Sequence, residues 1–302
     1  MTTSIFAAAA MATFGLQTAG FVVAAMLQTE VFYDILGGLN FLLLPWLFYP
    51  SENDVDNKTT SVTNWFCLCQ VVSRGWLLVF LGWRAHSRKG DSRFDGVKDN
   101  PPLFLVYWMV QACWIYLISL PLLVIYDNQN GDNESFSLTT LNTILLIGFA
   151  ASILLEITSD IQKTLWVERG RPGTFCRDGW WAYSRHPNYA GEVLQWWFAA
   201  ALAVVAGGSS SHWSLLALAS PLFTMHILLN TSGTGIWHAE GKNLKRYYDS
   251  KENGKDYEHY RSTTSPLLPM VAYGRLPLWV KRWFLFEWER FQYRPQQKNK
   301  DA

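Results

Sequence analysis

Charge is scarce in this sequence, and its scarcity excludes several classes of protein. Among 302 residues there are 25 Lys or Arg and 24 Asp or Glu, beside 16 Trp, 18 Phe and 13 Tyr. So many aromatic residues with so little charge exclude a disordered or fibrous chain and disfavour an ordinary soluble domain. The net charge of +1 disfavours binding through bulk electrostatics, so we expect no nucleic-acid partner.

Two further absences narrow the chemistry. The chain has only four cysteines, and their spacing does not match a zinc site, so we predict free thiols and no metal centre. No Gly-x-Gly-x-x-Gly motif occurs, so a Rossmann dinucleotide site is excluded. The cysteines are Cys67, Cys69, Cys113 and Cys176.

Five long stretches contain no charged residue, namely 1–29, 35–51, 100–126, 135–155 and 193–239. About 20 apolar residues in a helix cross a bilayer core of about 30 Å, and the last stretch has room for two crossings. Residues 63–83 form another candidate, which only Arg74 interrupts. We therefore predict an all-α, polytopic membrane protein of about seven transmembrane helices. They are expected at 4–28, 33–49, 64–83, 102–126, 138–160, 189–207 and 213–231.

The basic residues predict the orientation in the membrane. Residues 84–98 and 163–185 hold five Lys or Arg each and the tail from Lys242 holds thirteen, whereas the intervening loops are acidic. Because cytoplasmic loops are enriched in basic residues, we expect the N-terminus outside and the tail in the cytoplasm. The predicted location is an integral, multi-pass one, in the endoplasmic reticulum of a eukaryote or the plasma membrane of a bacterium.

Two polar segments on the predicted cytoplasmic side carry most of the candidate chemistry. The first includes Glu156, Asp160 and Lys163, at the inner end of the fifth predicted helix. Glu156 and Asp160 are four residues apart and share a helix face, where two carboxylates repel unless a polar group meets them. They could accept hydrogen bonds from a polar ligand while Lys163 approaches its phosphate. A solvated helix end is the alternative.

The second segment leads into the sixth predicted helix. Pro187 suits a first helical turn, so His186 lies at or just before the helix start, where free N–H groups and Arg185 would attract an anion. Asn188 and Glu192 are four residues apart and face the same way, and Glu192 would lie about one turn inside the membrane. A helix cap is the simpler explanation, but these residues are more numerous than capping requires.

These segments resemble the steroid 5-alpha-reductase-like membrane proteins, and most closely their bacterial-type branch. The similarity covers nearly the whole chain. The Arg-His-Pro core is shared with sterol C14 reductases and isoprenylcysteine carboxyl methyltransferases, whereas the acidic residues before it and Asn188 and Glu192 after it favour the reductases. The matching residues are Phe32-Tyr33-Asp34, Gly37-Gly38, 90–95, Glu156 to Lys163, Ser184 to Tyr189, Gly191-Glu192, Ser232-Gly233, Glu240, Tyr257, Tyr260, Thr263, Pro266 and Pro269.

The resemblance implies an all-helical membrane fold whose cytoplasmic half binds NADPH, with a lipid-like substrate entering between helices. Glu156 stands where the steroid enzymes have Asn, so this contact differs from theirs. Arginine side chains are suited to the cofactor's phosphates. The candidate cofactor-binding residues are Glu156, Asp160, Lys163, Arg169, Arg171, Arg185, His186, Asn188, Tyr189 and Glu192.

A reductase of this kind transfers hydride to a C=C bond conjugated to a carbonyl and needs a donor for the enolate oxygen. Tyr33 and Asp34 are the catalytic candidates, since an Asp in apolar surroundings could be protonated and donate. Interface anchoring by Tyr33 and helix capping by Asp34 are the structural alternatives. Arg74 must face a partner or a cavity, in either a structural ion pair or a substrate contact.

The chain is predicted to form one membrane domain, 1–302. Its parts are N-terminal helices (1–137), a cofactor-binding core (138–270) and an amphipathic interfacial tail (271–302). The leading function is NADPH-dependent reduction of a sterol or another lipid. An S-adenosylmethionine-dependent methyltransferase of a lipid or lipidated substrate, and a non-catalytic lipid-binding membrane protein, are the alternatives.

Overall fold

The computed structural model describes residues 4–48, 60–88, 94–129, 139–173, 175–207, 213–231, 235–240, 244–248 and 251–288. Within these ranges the chain is helical and contains no β-strand, only an isolated bridge between Ser184 and Ser265. The prediction of an all-α protein is therefore confirmed for the described residues.

The first six helices match the predicted order. They are α1 (Ile5–Leu27), α2 (Tyr33–Leu47), α3 (Thr60–Arg88), α4 (Pro101–Gln129), α5 (Thr140–Glu168) and α6 (Pro187–Gly207). Residues 213–231, predicted as one helix, are divided into three types of helix. A 3-10 helix (Ser214–Leu218) is followed by α7 (Ala219–Met225) and a π-helix (His226–Asn230). Shorter helices follow, namely α8 (Gly235–Glu240), α9 (Lys245–Tyr248), α10 (Lys251–Thr263) and α11 (Leu278–Phe284).

Five stretches of the described chain are long and apolar enough to cross a membrane. They are Ile5–Leu27, Val62–Trp83, Pro101–Asn128, Thr140–Glu168 and Ser214–Trp237, whereas Tyr33–Leu47 is apolar but shorter. Such helices are those of an integral membrane protein. The total of seven spanning helices, with 189–207 among them, stays a prediction.

The chain folds as two compact units. Unit 1 comprises Met1–Ala150 and Gln195–Phe223, and unit 2 comprises Ala151–Leu194 and Thr224–Ala302. The boundaries fall within α5, α6 and α7, so each of these helices contributes residues to both units. The predicted single domain over 1–302 stays a prediction.

Unit 1 is built on close contact between α1 and α4. Small or polar residues recur every three or four positions on the buried face of α1, which brings them to one side of the helix. Gly20 belongs to this face, and a Cβ atom there would lie 2.5 Å from the Trp108 ring of α4. The buried residues of this face are Ala9, Thr13, Gln17, Gly20 and Ala24.

Unit 2 contains the C-terminal part of α5, a 3-10 helix (Gly179–Ala182), the start of α6 and the later short helices. Its apolar core gathers Ala190, Leu229, Ile236 and Leu267. A second buried cluster is aromatic and includes Phe175, Tyr247, Tyr257 and Tyr260. Every predicted cofactor-binding residue belongs to this unit.

Candidate functional site

The Arg-His-Pro segment, residues 184–189, connects the 3-10 helix to α6 and is attached to residues 265–267. The Ser184 hydroxyl donates to the Leu267 carbonyl at 2.5 Å, and the Arg185 N–H donates to the Ser265 carbonyl at 2.8 Å. The Tyr260 hydroxyl donates to the Trp181 carbonyl at 2.5 Å. These bonds hold the segment to a part of the chain about 80 residues later in sequence.

Helix α6 begins at Pro187, as the sequence indicates. The carbonyl of His186 accepts the first helical hydrogen bond, from the Ala190 N–H at 3.1 Å, so His186 is the residue before the helix. Proline in the first turn loses no backbone bond, because the first N–H groups of a helix have no partner within it. The Ser184 hydroxyl accepts from the His186 N–H at 3.1 Å and so satisfies the backbone donor at this position.

Arg185 is the centre of a buried ion network. Its Nη1 contacts the Glu240 carboxylate at 3.1 Å and its Nη2 contacts Glu287 Oε2 at 2.5 Å. His186 Nε2 lies 3.0 Å from Glu240 Oε1, and the Tyr273 hydroxyl donates to Glu287. One guanidinium therefore joins two carboxylates that come from distant parts of the chain.

The network shifts the protonation of its members. Burial alone would lower the pKa of Arg185, but the carboxylates of Glu240 and Glu287 raise it above its usual value. Burial alone would raise the pKa of Glu240, but Arg185 and the hydrogen bond with His186 lower it below its usual value. Both side chains are therefore charged at neutral pH, because each stabilises the charged form of the other.

An aromatic cavity of about 240 Å³ lies beside this network. Burial raises the pKa of the phenols of Tyr257 and Tyr260, so both remain neutral at working pH. Among its aromatic lining residues, Phe175 packs against Tyr260 at a centroid distance of 4.8 Å. The lining residues are Lys163, Phe175, Cys176, Trp181, Arg185, His186, Asn188, Tyr189, Ala239, Glu240, Leu244, Tyr247, Tyr257 and Tyr260.

Two polar atoms in the lining lack a hydrogen-bond partner among the described residues. They are Nε of Arg185, which is a donor, and Oδ1 of Asn188, which is an acceptor. The other amide atom of Asn188, Nδ2, donates to Asp160 Oδ1 at 3.1 Å. An unpaired buried polar atom is costly, so these two atoms are the ones that a bound molecule would satisfy.

The remaining predicted residues of unit 2 differ in their placement. The Lys163 ammonium lies 4.4 Å from the Trp181 ring and 4.6 Å from the Trp166 ring, at the edge of the aromatic cavity. Tyr189 stacks on His186 with a centroid distance of 5.3 Å. Glu156 is buried on α5, and Glu192 is partly buried on α6.

The two predicted phosphate-binding arginines outside the motif are exposed. Arg169 pairs with Asp178, and Arg171 follows it in the loop after α5, with a positive φ of 58°. Neither belongs to the lining of the aromatic cavity. Of the ten predicted cofactor residues, the cavity therefore brings together five, which are Lys163, Arg185, His186, Asn188 and Tyr189.

The two catalytic candidates lie in unit 1. Tyr33 is buried between Phe94 and Trp108, and its hydroxyl donates to the Tyr107 carbonyl at 2.8 Å. Asp34 stands in the first turn of α2, but the N-cap of that helix is Phe32. The described contacts of Tyr33 are those of a structural residue, and a catalytic role for either residue stays a prediction.

Sequence reasoning did not assign a site role to the acids of the network or to most of the aromatic wall. Glu240 could have been found, since it is the first charged residue after the uncharged run 193–239. Tyr257 and Tyr260 were noted only as part of the resemblance. Glu287 was placed in an interfacial tail, where no local pattern points to Arg185. After α11, the backbone has a positive φ of 60° at Phe286, directly before Glu287.

Comparison with known proteins identifies a family. The model of the family described as "Protein of unknown function (DUF1295)" matches residues 20–264, which include every predicted site residue and Glu240. No curated protein and no solved structure matches the chain. Because the match covers most of the chain, the protein belongs to the DUF1295 family of proteins of unknown function.

Proposed function

We propose that this protein is an NADPH-dependent membrane oxidoreductase that reduces a C=C bond conjugated to a carbonyl in a sterol or another lipid. The observation that supports it most is the aromatic cavity, which five of the ten predicted cofactor residues line. The resemblance to steroid 5-alpha-reductase-like proteins belongs to the same proposal. The resemblance suggests the type of reaction, and the cavity contains the side chains that would bind the cofactor.

The residues of the cavity fit one end of a nicotinamide dinucleotide. Sites for drug-sized ligands have volumes of about 300–1,000 Å³, so a cavity of about 240 Å³ would hold only part of a dinucleotide. Asn188 Oδ1 would accept from an amide or amino group, and Arg185 Nε would donate to an oxygen. Lys163 would meet a phosphate. When bound, NADPH supplies the hydride for the reduction.

The ion network would hold these groups in place. Nη1 and Nη2 of Arg185 contact Glu240 and Glu287, which holds the guanidinium in place, and Nε is the nitrogen of this side chain that lacks a partner among the described residues. His186 is held at Nε2 by Glu240 and on one face by the Tyr189 ring. A site whose side chains are already positioned loses less entropy when its ligand binds.

A specific observation favours the second candidate function, an S-adenosylmethionine-dependent methyltransferase. Phe175, Tyr247, Tyr257 and Tyr260 form a cluster of ring faces and edges beside the carboxylate of Glu240. Aromatic walls attract organic cations through cation–π interactions, and a sulfonium is such a cation. The unpaired acceptor of Asn188 and the unpaired donor of Arg185 could bind either cofactor. Only a binding measurement can distinguish the two functions.

Nucleotide-dependent melting tests the proposal. NADPH is expected to raise the melting temperature of the detergent-purified protein, whereas S-adenosylmethionine leaves it unchanged. A ligand at 100 times its Kd stabilises a protein by about 2.7 kcal/mol, which is a visible shift. A shift with S-adenosylmethionine alone would favour the methyltransferase, and a shift with neither would favour a non-catalytic lipid-binding protein.

A matched pair of variants localises the site. Asn188→Leu removes the unpaired acceptor and should reduce the NADPH-induced shift, since a lost hydrogen bond costs about 0.5–1.5 kcal/mol, or roughly twofold to tenfold in affinity. Asn128→Leu changes a buried amide of unit 1, which also has an unpaired atom, and should leave the shift intact. An equal loss in both variants would contradict binding in the aromatic cavity.

A further inference from the structure

Unit 1 contains a buried cation within a stretch that is long and apolar enough to cross a membrane. Arg74 lies in the middle of Val62–Trp83, and none of its surface is exposed. Its Nε and Nη2 donate to Ser73 Oγ at 3.2 and 2.9 Å. The Ser73 hydroxyl in turn donates to Gln195 Oε1 at 2.6 Å. An ionisable residue at such a position indicates a function, because its burial is costly.

Aromatic rings surround this cation. The guanidinium carbon of Arg74 lies 4.9 Å from the centroid of the Trp196 ring and 5.6 Å from that of Phe41. Ring faces stabilise a guanidinium that has left water. Both rings are buried, so apolar ring surface lies beside the polar groups of Arg74.

Two further polar side chains at this place have unpaired atoms. Gln70 is fully buried, and neither its Oε1 nor its Nε2 has a hydrogen-bond partner among the described residues. It precedes Arg74 by four residues on α3, so the two side chains are neighbours on one helix face. The Trp196 Nε1–H, on the ring that covers Arg74, is also buried without a partner there. The burial of such a group is costly unless a hydrogen-bond partner satisfies it.

We propose that Gln70, Arg74 and Trp196 form a second binding site, inside unit 1, for the carbonyl or carboxylate oxygen of an apolar ligand. Arg and Trp side chains only donate hydrogen bonds, so the ligand must present an acceptor. The Gln70 amide offers both a donor and an acceptor beside it. The proposal does not depend on a nucleotide in unit 2, and it concerns groups that the reductase proposal leaves unused.

Matched probes of one chain length test the acceptor. Hexadecanoic acid, 2-hexadecanone and hexadecane are added at equal mole fractions to the full chain in detergent micelles, and the melting temperature is measured. We expect the acid or the ketone to raise it and hexadecane to have no effect. A shift by the acid alone assigns a carboxylate, and a shift by the ketone alone assigns a carbonyl. Equal shifts with hexadecane, or no shift with either oxygenated probe, would overturn the site.

Two variants locate the binding. Gln70→Leu should weaken the active probe at least about tenfold if the amide contacts its oxygen together with Arg74. The variant is expected to fold, because it replaces an unpaired buried amide by an apolar group of similar size. Gln17→Leu is the control, since that amide is equally buried in unit 1 but its Nε2 donates to Asn40 Oδ1 at 3.2 Å, and only its Oε1 lacks a partner among the described residues.

The outcomes separate this site from the nucleotide site. Gln17→Leu should keep the probe-induced shift, and Gln70→Leu should keep any NADPH-induced shift. Retention of the full probe-induced shift in Gln70→Leu would show that the oxygen binds elsewhere. Absence of an NADPH effect in every protein would remove the reductase proposal and leave this one standing.

Discussion

Arg185 carries its charge where water scarcely reaches, with 4% of its surface exposed. Such a charge is tolerable because Glu240 and Glu287 surround it and because Tyr273 and His186 supply further hydrogen bonds to these acids. A buried pair of this kind adds little net stability over an apolar pair, but the loss of one member leaves the others uncompensated. The loss of Arg185 should therefore lower stability by more than its ion pairs add to it, because two buried carboxylates would remain without a cation.

This reasoning predicts the effect of removing the guanidinium. Arg185→Met should lower the free energy of unfolding by about 3–5 kcal/mol, because two buried carboxylates lose their cation. Arg177→Met is the matched control, since Arg177 pairs with Asp256 at 3.1 Å on the surface, where such a pair contributes about 0–1 kcal/mol. Thermal melting of the purified variants in one detergent measures both. Similar melting temperatures for the two variants would contradict the buried network.

The lowered pKa of Glu240 predicts a pH dependence. Because Arg185 stabilises the carboxylate in the folded state, the unfolded chain binds the proton more readily, and stability rises with pH. The contribution is complete above the ordinary value of 4.5 and is lost as the pH falls through the lower folded pKa. The difference in melting temperature between wild type and Glu240→Gln should therefore narrow as the pH falls below 4.5. A constant difference would exclude this linkage.

Single residues also show where sequence reasoning reaches its limit. The start of α6 at Pro187 was predictable, because proline and helix geometry act over a few residues. The partners of Arg185 were not, since Glu240 and Glu287 follow it by 55 and 102 residues and no periodicity relates them. The aromatic cavity also brings Lys163 and Asn188 to one lining, although no local pattern in the sequence relates them.

Among the helices, the crossing of α5 and α6 depends on one glycine. A Cβ atom at Gly191 would lie 2.6 Å from the backbone nitrogen of Glu156 and 2.8 Å from the carbonyl oxygen of Ser152. Backbone atoms cannot move aside as the end of a side chain can, so the helices approach closely only because this residue has no side chain. The glycine of the motif therefore positions Asn188 and Asp160, which lie on these two helices.

Substitution of this glycine should separate the helices. Gly191→Ala is expected to destabilise the protein by about 1–3 kcal/mol, the usual cost of overpacking. Gly82→Ala in α3 is the control, because nothing lies within 4 Å of a Cβ atom there and alanine favours a helix by about 0.5–1 kcal/mol. Melting of both variants checks the sign. Stabilisation by both changes would argue against a close crossing.

The ends of the helices were less predictable than their cores. The length of an apolar stretch indicates where a bilayer could lie, but it does not indicate where helical hydrogen bonding stops. Helix α3 therefore continues to Arg88 and α5 to Glu168, beyond the predicted ends at 83 and 160. Residues 213–231 were predicted as one helix, but the chain there passes from 3-10 to α to π geometry. Each of these pieces is only five to seven residues long, so the hydrophobic pattern does not distinguish their different periods.

For the whole molecule, the distribution of basic residues predicts which ends of the helices face the cytoplasm. The acidic segments that contain Asp54 and Asp132, and the basic segment with Lys89, lie outside the described residues. The predicted orientation therefore rests on the sequence, and labelling can establish it directly.

Introduced cysteines test the topology. In a background without the four native cysteines, Asp54→Cys and Asp132→Cys should react with a membrane-impermeant maleimide from the non-cytoplasmic side. Lys89→Cys and Arg177→Cys should react only once the cytoplasmic side is opened. Labelling of Asp54→Cys and Lys89→Cys from the same side would overturn the predicted helix count, because an odd number of crossings must separate them.

The distance along the chain between Arg185 and its acids has a consequence for biogenesis. A ribosome finishes Arg185 55 residues before Glu240 and 102 residues before Glu287, so the guanidinium enters the nascent protein without either counter-ion. Unit 2 consequently closes late in translation, when the segment with Glu287 arrives. A premature stop codon between these acids would yield a chain with its apolar helices inserted and one acid missing. Quality-control proteases act on such incompletely folded products, so synthesis of the second acid of the network decides whether the protein accumulates.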